Sequence, residues 1–411
     1  MQLIADRLDR ISPSQTIAVR QKVAALKREG RDVLGVSSGE PDFDTPRHVK
    51  DAAIRAIEVG ETKYTDVAGT PELRRAAAEK FRRDSGIDYK PEEIIISTGA
   101  KQVMFNAMLA TLNAGDEAII PIPCWVSYPD IVSVAAGRPV FVPCGPNNGF
   151  KLRADDLAAA ITPSTRWFIL NNPCNPTGAA YTAADLRPLC DVLLRHPDVW
   201  VLTDDIYEKL TYEGDKPATI VQVEPRLKER TVTMNGCSKA YAMTGWRIGF
   251  AGAPLPLIKA MDKLQSQSTS NTSSISQAAA LAALTGSEDF ISDMVRVFRQ
   301  RRDMLVDMLN AAPGITCRKP EATFYVFPSM AGCLGKTTSR GTRITDDLAF
   351  VTALLDEEGV ASVHGSVFMC PDHLRISYAT DTEVLREAYR RIQRFCRSLT
   401  PALAGATRVT I

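Results

Sequence analysis

The chain has 411 residues, 45% of them hydrophobic and 24% charged, with a formal charge of +1. Such a composition is that of globular material in two or three domains, and the balanced charge excludes the concentrated basic surface that nucleic acid or an anionic membrane requires. Nine singly scattered cysteines and four histidines make neither a disulfide framework nor a zinc site. No run approaches the length of a membrane span and no apolar signal core opens the sequence, so a reducing cytoplasm is the expected location.

In chain order, apolar runs rich in branched residues fall at 93–98, 116–122, 138–143, 166–171, 199–205, 230–235 and 247–253. They read as strands apolar on both faces, in a mostly parallel, seven-stranded sheet covered by helices. Helical patterns separate them, such as 101–113, where Val103, Met104, Ala107, Met108 and Leu112 approximate one apolar face, and 183–196. This alternation predicts an α/β large domain over 48–288. From 289 a long helical pattern, two short strand-like runs and an amphipathic helix near 383–398 predict a smaller α+β domain over 289–399. Residues 1–47 are expected to form an arm and part of that small domain, and 400–411 a tail without periodicity.

Ligands of open α/β sheets bind beyond the carboxyl ends of the strands, and several ends here carry unusual chemistry. The stretch "STGAKQ" (97–102) is a small-residue turn opening into a helix, a cup for phosphate. "PCWVSYP" (123–129) sets Trp125 at the mouth of the crevice, where it either stacks a flat ligand or simply packs. "NNPCNPTG" (171–178) presents Asn175, and "TDDIYE" (203–208) closes an apolar run with Asp204 and Asp205, followed by Tyr207. After the sixth strand, "NGCSKAYAMTGWRIGF" (235–250) brings Lys239 and Arg247 into an otherwise apolar segment. Both side chains could snorkel to water. Alternatively, a desolvated Lys239 is an amine nucleophile able to form a Schiff base, and Arg247 is a planar fork for phosphate oxygens. A flat cofactor with an aldehyde, a phosphate, a ring nitrogen and a phenolic oxygen uses all these groups, and pyridoxal 5'-phosphate fits.

The motifs "SPSQTIAV", "SSGEPDFDTP", "KYTDVAGTPELR", "NPTG", "DDIYE", "SKAYAMTGWRIGF" and "LRISYA" stand in order along nearly the whole chain. In them the sequence resembles class I aminotransferases of pyridoxal-phosphate fold type I, in the bacterial branch that acts on aspartate and aromatic or prephenate substrates. The resemblance implies a transaminase working in two half reactions, as a homodimer with active sites at the subunit interface. It implies Lys239 as the Schiff-base lysine and proton shuttle, Asp204 as partner of the ring nitrogen, and Tyr207 and Asn175 as partners of the phenolic oxygen. Gly99, Ala100, Lys101, Ser238 and Arg247 would hold the phosphate, Trp125 would stack on the ring, and Tyr64 would reach the phosphate of the neighbouring subunit. Arg375, with the Gly39 backbone, would take the substrate α-carboxylate, while Lys101, Trp125 and Asn175 would also face the substrate.

Alternation along the strand puts Asp204 and Asp205 on opposite faces, and the family pattern places the first inward. His364 reads as structural, because Lys239 fills the proton-transfer role, and "LLDEEG" (354–359) reads as a solvated helix end. Cys124 and Ser12 depart from the branch, which has tyrosine at the first position and often a basic residue for a distal substrate carboxylate at the second. Lys101 is the remaining cation for that carboxylate. Aspartate, glutamate and 2-oxoglutarate are therefore expected substrates, with neutral or aromatic donors admitted. The alternatives are an aromatic or prephenate aminotransferase, another fold type I enzyme such as a β-lyase or decarboxylase, and a binding protein that keeps the fold without turnover.

Overall fold

A computed structural model describes residues 3–13, 15–214 and 216–401; most of the expected tail, 402–411, lies outside them. The chain divides into two units, one of residues 1–12, 40–297 and 321–323, the other of 13–39, 298–320 and 324–411.

The first unit is built on seven strands: β1 (Ile94–Ser97), β2 (Glu117–Ile122), β3 (Arg138–Pro143), β4 (Thr165–Asn171), β5 (Trp200–Asp204), β6 (Thr231–Gly236) and β7 (Gly249–Gly252). They lie in the order β1-β7-β6-β5-β4-β2-β3. All pairs are parallel except those of β7, which runs antiparallel to both β1 and β6. Six carboxyl ends therefore point the same way, with β5 in the middle of the sheet.

The strand interiors are buried as expected, with one correction. β3 is an edge strand, and Phe141 on it is 42% exposed. Its prolines at 139 and 143 suit an edge, where an amide is not needed on both sides. The helix Ala100–Thr111 buries Val103, Met104, Ala107 and Met108, as its periodicity predicts. The helix Ala183–Leu194 starts at a capping box: Thr182 Oγ1 accepts from the Asp185 amide, and the Asp185 carboxylate accepts from the Thr182 amide. Its Leu186, Leu189 and Leu193 join Phe168, Leu170 and Val201 in one core cluster. A second cluster gathers around Phe81, whose ring meets Tyr89 and Phe250 edge-on at 5.4 and 5.6 Å.

The second unit has its own small sheet, in which Leu374–Ser377 lies antiparallel between Val363–His364 and Tyr325–Val326. A parallel two-residue pair joins Leu34–Gly35 to Val360–Ala361. The helix Thr382–Ser398 is capped by the Asp381 carboxylate, which accepts from the amides of Glu383 and Val384.

One buried ionic network steadies the turn that follows β5. Lys80, on the helix Pro71–Ser85, is almost wholly buried and bridges Asp84 at 3.2 Å and Glu208. Lys209 extends the network to Asp84 and Glu288, each at 3.0 Å. Removing the central cation leaves Glu208 without the lysine it faces and Asp84 with only Lys209 and Arg83, and breaking a buried pair in this way typically costs ~3–5 kcal/mol. Lys80→Met, nearly isosteric but uncharged, is expected to lower the unfolding free energy by about that much in urea titrations.

Candidate active site

The carboxyl ends of β1, β2, β4, β5 and β6 bring the predicted groups of the first unit together. At β5, strand geometry sends Asp204 and Asp205 to opposite faces. Asp204 is 5% exposed; its Oδ2 accepts from Tyr128 Oη at 2.6 Å and its Oδ1 from the Ile206 amide at 3.3 Å. Burial pushes its pKa up to about 6, against the lowering effects of these donors and of the Lys239 charge. Asp205 faces away, toward Thr203 and Thr219, and burial holds its carboxyl well above the usual range. The backbone here is pinned, because the Asp204 carbonyl accepts from both the Asn171 side-chain amide at 2.8 Å and the Asn172 amide at 3.0 Å. Asn171 Oδ1 in turn takes the amide of Asn175 at 2.7 Å, which sets the 171–178 loop on the end of β4. Asn175 and Tyr207 are both buried.

β6 ends in Gly236 and delivers Ser238, buried, and Lys239, half-buried, to the same edge. The segment then folds back through a turn closed by the Met243 amide on the Ser238 carbonyl at 3.1 Å. Arg247 sits in a left-handed conformation, φ +55°, which turns its exposed side chain back; its Nη1 donates to the Thr244 carbonyl at 2.9 Å.

The "STGAKQ" turn meets Arg247 directly. Gly99 has φ +82°, and a Cβ on it would stand 2.3 Å from Arg247 Nη2. Only glycine allows that approach. Gly99 is also the N-cap of the helix Ala100–Thr111, and no side chain caps that end. Its first amides and the guanidinium thus face a common space, the arrangement that receives a phosphate dianion. Lys101 stands beside it with its ammonium 4.7 Å from the centre of the Trp125 ring. Loss of hydration and then the Arg247 charge hold its pKa down.

Tyr64 is 90% exposed at the surface of this unit. In the second unit, Arg375 is buried between Tyr325 and Phe368, with its guanidinium carbon 4.5 and 5.0 Å from the two ring centres, and its Nη2 donates to the Ser37 carbonyl at 3.0 Å. Gly39 lies two residues along from Ser37, exposed and 3.5 Å, at its would-be Cβ, from Tyr325 Oη. His364 is partly buried 3.8 Å from Asp347, and burial lowers its pKa. Of the "LLDEEG" acids, Glu358 is held by Arg394 at 2.6 Å.

Two residues of the site, Tyr128 and Gln265, are not singled out by the sequence motifs. Tyr128 lies in the quoted "PCWVSYP", three residues beyond Trp125, one helical turn on, and that spacing was the available signal. Gln265 has none: its side chain accepts from Ser97 Oγ at 2.6 Å and donates to the Ile96 and Val67 carbonyls, each at 2.8 Å, and so braces the base of the phosphate cup from far along the chain.

A buried carboxylate, an amine just beyond the end of the next strand and an uncapped helix end facing an arginine suit a cofactor that is cationic at one end and dianionic at the other. The description "Aminotransferase class I and II" matches residues 31–392, and the chain belongs to that family. It is 56% identical to the aspartate/prephenate aminotransferase of Cereibacter sphaeroides, over 97% of this chain and all of that one. Identity to the aspartate aminotransferase of Rhizobium meliloti is 54%, over 96% of each chain. The crystal structure of the aspartate aminotransferase from Rhizobium meliloti superposes with a TM-score of 0.95 at 53% identity, covering 97% of this chain and 100% of that one. The aspartate aminotransferase from Thermus thermophilus with maleate does so with a TM-score of 0.90 at 42% identity, covering 96% and 100%. The protein is thus a fold type I, pyridoxal-phosphate-dependent aminotransferase, and the β-lyase and non-enzymatic alternatives are not favoured.

The state of Asp204 without cofactor has a measurable consequence. A carboxyl whose folded pKa is raised adds stability that is fully present below its unfolded pKa, near 4, and lost as pH rises through the folded value of about 6. Cofactor-free protein should therefore lose stability relative to cofactor-free Asp204→Asn as pH rises from 4 to 7, by ~2–3 kcal/mol at roughly 1.4 kcal/mol per pKa unit. Paired urea titrations across that range check it.

Proposed function

We propose that this aminotransferase moves the amino group of aspartate or glutamate to a 2-oxo acid such as 2-oxoglutarate, with room for neutral and aromatic donors. The observation that carries the site assignment is the meeting of Arg247 with Gly99 beside an uncapped helix end, on the same sheet edge as Lys239 and Asp204. Bound pyridoxal phosphate supplies an aldehyde for the amine and a ring that withdraws electrons from the substrate Cα.

In this reading the chain's own groups divide the work. Gly99, Ala100, Lys101, Ser238 and Arg247 hold the phosphate, and Trp125 lies along the ring. Asp204 keeps the ring nitrogen protonated, while Asn175 and Tyr207 donate to the phenolic oxygen. Lys239 Nζ would take the proton from the substrate Cα. Arg375, held flat between two aromatic rings, offers its planar fork to the α-carboxylate, and the Gly39 backbone assists. Tyr64, almost wholly exposed on the single chain, reaches the phosphate of a partner subunit in a homodimer. The balanced charge and free cysteines fit a cytoplasmic enzyme of small substrates, and among the described residues no helix is long and apolar enough to cross a membrane.

The dicarboxylate preference rests on Lys101. It is the cation beside Trp125, and the Thermus thermophilus relative carries maleate, a dicarboxylate. The Cereibacter sphaeroides relative is an aspartate/prephenate aminotransferase, which adds prephenate to the substrates to be tested. A panel of twenty amino donors against 2-oxoglutarate, oxaloacetate and pyruvate tests the assignment; turnover with neutral donors alone would remove the protein from the aspartate branch.

Two variants report on the roles. Borohydride reduction followed by peptide mapping should find the pyridoxyl group on Lys239, and Lys239→Ala should retain cofactor through the phosphate contacts while losing transamination; a label on another lysine would overturn the assignment. Lys101→Met should lower kcat/KM for dicarboxylates by ~2–4 kcal/mol, the scale for truncating one partner of a desolvated charge pair, and leave neutral donors nearly unchanged. An equal fall for both classes would take Lys101 out of specificity.

A further inference from the structure

Tyr128 lies on the short helix Ser127–Val134, beneath Trp125 and against the end of β5. It is 2% exposed. Its ring meets that of Trp125 edge-on, with centroids 5.3 Å apart and planes at 84°, and its hydroxyl donates to Asp204 Oδ2 at 2.6 Å. One side chain therefore touches both the indole assigned to the face of the cofactor ring and the carboxylate assigned to its nitrogen. The small cavity at this point is also lined by Cys124, Cys144 and Cys174, whose thiols are weak acceptors. The carboxylate is the strong acceptor in reach, so the phenol has one good place to send its proton.

We propose that Tyr128 is a positioning residue that acts through Asp204: by donating to Oδ2 it stabilises the ionised carboxylate and leaves Oδ1 to face the cofactor's ring nitrogen. This rests on the pyridoxal-phosphate reading of the site. A carboxylate and a protonated pyridine sharing a dry site hold one proton between them, which sits on nitrogen when the carboxylate is the weaker base. Burial makes Asp204 a stronger base than usual, with its pKa near 6, and so works against a protonated ring. The Tyr128 hydrogen bond works the other way, because a bond to the charged form favours that form. The phenol does not give up its own proton, since burial and then the adjacent Asp204 charge push its pKa far up. Nothing is transferred by Tyr128; it biases where the Asp204–ring proton resides, and thereby how strongly the ring withdraws electrons.

The test uses holoenzyme reconstituted with cofactor labelled with ¹⁵N in the ring. In the parent protein the nitrogen signal should lie at the protonated position and in Asp204→Asn at the unprotonated one. Absence of that difference would sink the assignment of Asp204 itself, separately from the role of Tyr128. Tyr128→Phe, which deletes one hydroxyl and keeps the ring against Trp125, should move the signal toward the unprotonated position. Its kcat should fall about ten- to a hundred-fold, the factor that one hydrogen bond to a charged group supplies, with KM for both substrates little changed. In an Asp204→Asn background the same substitution should add almost nothing to the loss of kcat, because the two residues act in series. An unmoved nitrogen signal in Tyr128→Phe, additive losses in the double variant, or loss of folding by circular dichroism in the single one would each make Tyr128 a packing residue and overturn the proposal.

Discussion

A carboxylate buried at the centre of a sheet edge sets the terms for everything around it. Asp204 is at the end of the middle strand, where a neutral phenol and a neutral backbone amide donate to its carboxylate. Neutral donors moderate the cost of burying a charge without removing it, and the raised pKa near 6 measures what is left. A cation placed against Oδ1 would relieve that cost, which in the proposed reading is the electrostatic reason a protonated ring nitrogen would sit there. From this point outward the groups become more exposed: Lys239 is half-buried and Arg247 exposed. The site thus grades from a dry acidic end to a wet basic end over a distance set by adjacent strands, and a zwitterionic ligand has one sensible orientation in it.

The basic end depends on backbone geometry as much as on charge. A Cβ at Gly249 would stand 2.1 Å from the Ala100 amide nitrogen, just as one at Gly99 would collide with the Arg247 guanidinium. Both glycines let the strand that follows Arg247 lie flat against the turn that opens the helix. Arg247 itself occupies the left-handed region, which costs a non-glycine residue roughly 1 kcal/mol or more and persists only where surroundings hold it. Those surroundings are the Thr244 carbonyl and the ladder of β7 on β1 and β6. The antiparallel β7 is therefore a functional feature, because it returns the chain from the lysine loop to the phosphate cup within ten residues.

The parts of the fold that sequence reveals are those fixed by local pattern. Branched residues on both faces marked the strands, and a turn of small residues before a helix marked the cup, because each signal lies in a handful of neighbours. The direction of β7 and the edge position of β3 did not show, since periodicity carries neither strand direction nor place in the sheet. Alternation put Asp204 and Asp205 on opposite faces, but the family pattern was needed to choose which of them faces inward. Tyr128 had only its spacing from Trp125 to mark it and Gln265 had nothing, because their importance comes from partners 76 residues away in one case and 168 in the other. Long-range hydrogen bonds of this kind leave no mark on the local sequence.

The departure from the branch at Ser12 takes on a specific meaning beside Lys101. Ser12 does not reach the site as a cation; its backbone amide donates to the Asp130 carboxylate, whose own pKa is raised by burial and lowered by that amide and by Lys101. Asp130 is thus the resident anion in the field of Lys101, and it acts to raise the lysine's pKa against desolvation and Arg247. If Lys101 takes a distal substrate carboxylate, as proposed, that carboxylate would share it with Asp130, while a neutral side chain would leave their mutual attraction undisturbed. A basic residue at position 12 would have offset Asp130 and freed Lys101 for the second carboxylate. In the proposed reading, serine there would weaken the discrimination against neutral donors by the same electrostatics that keep Lys101 in place over Trp125.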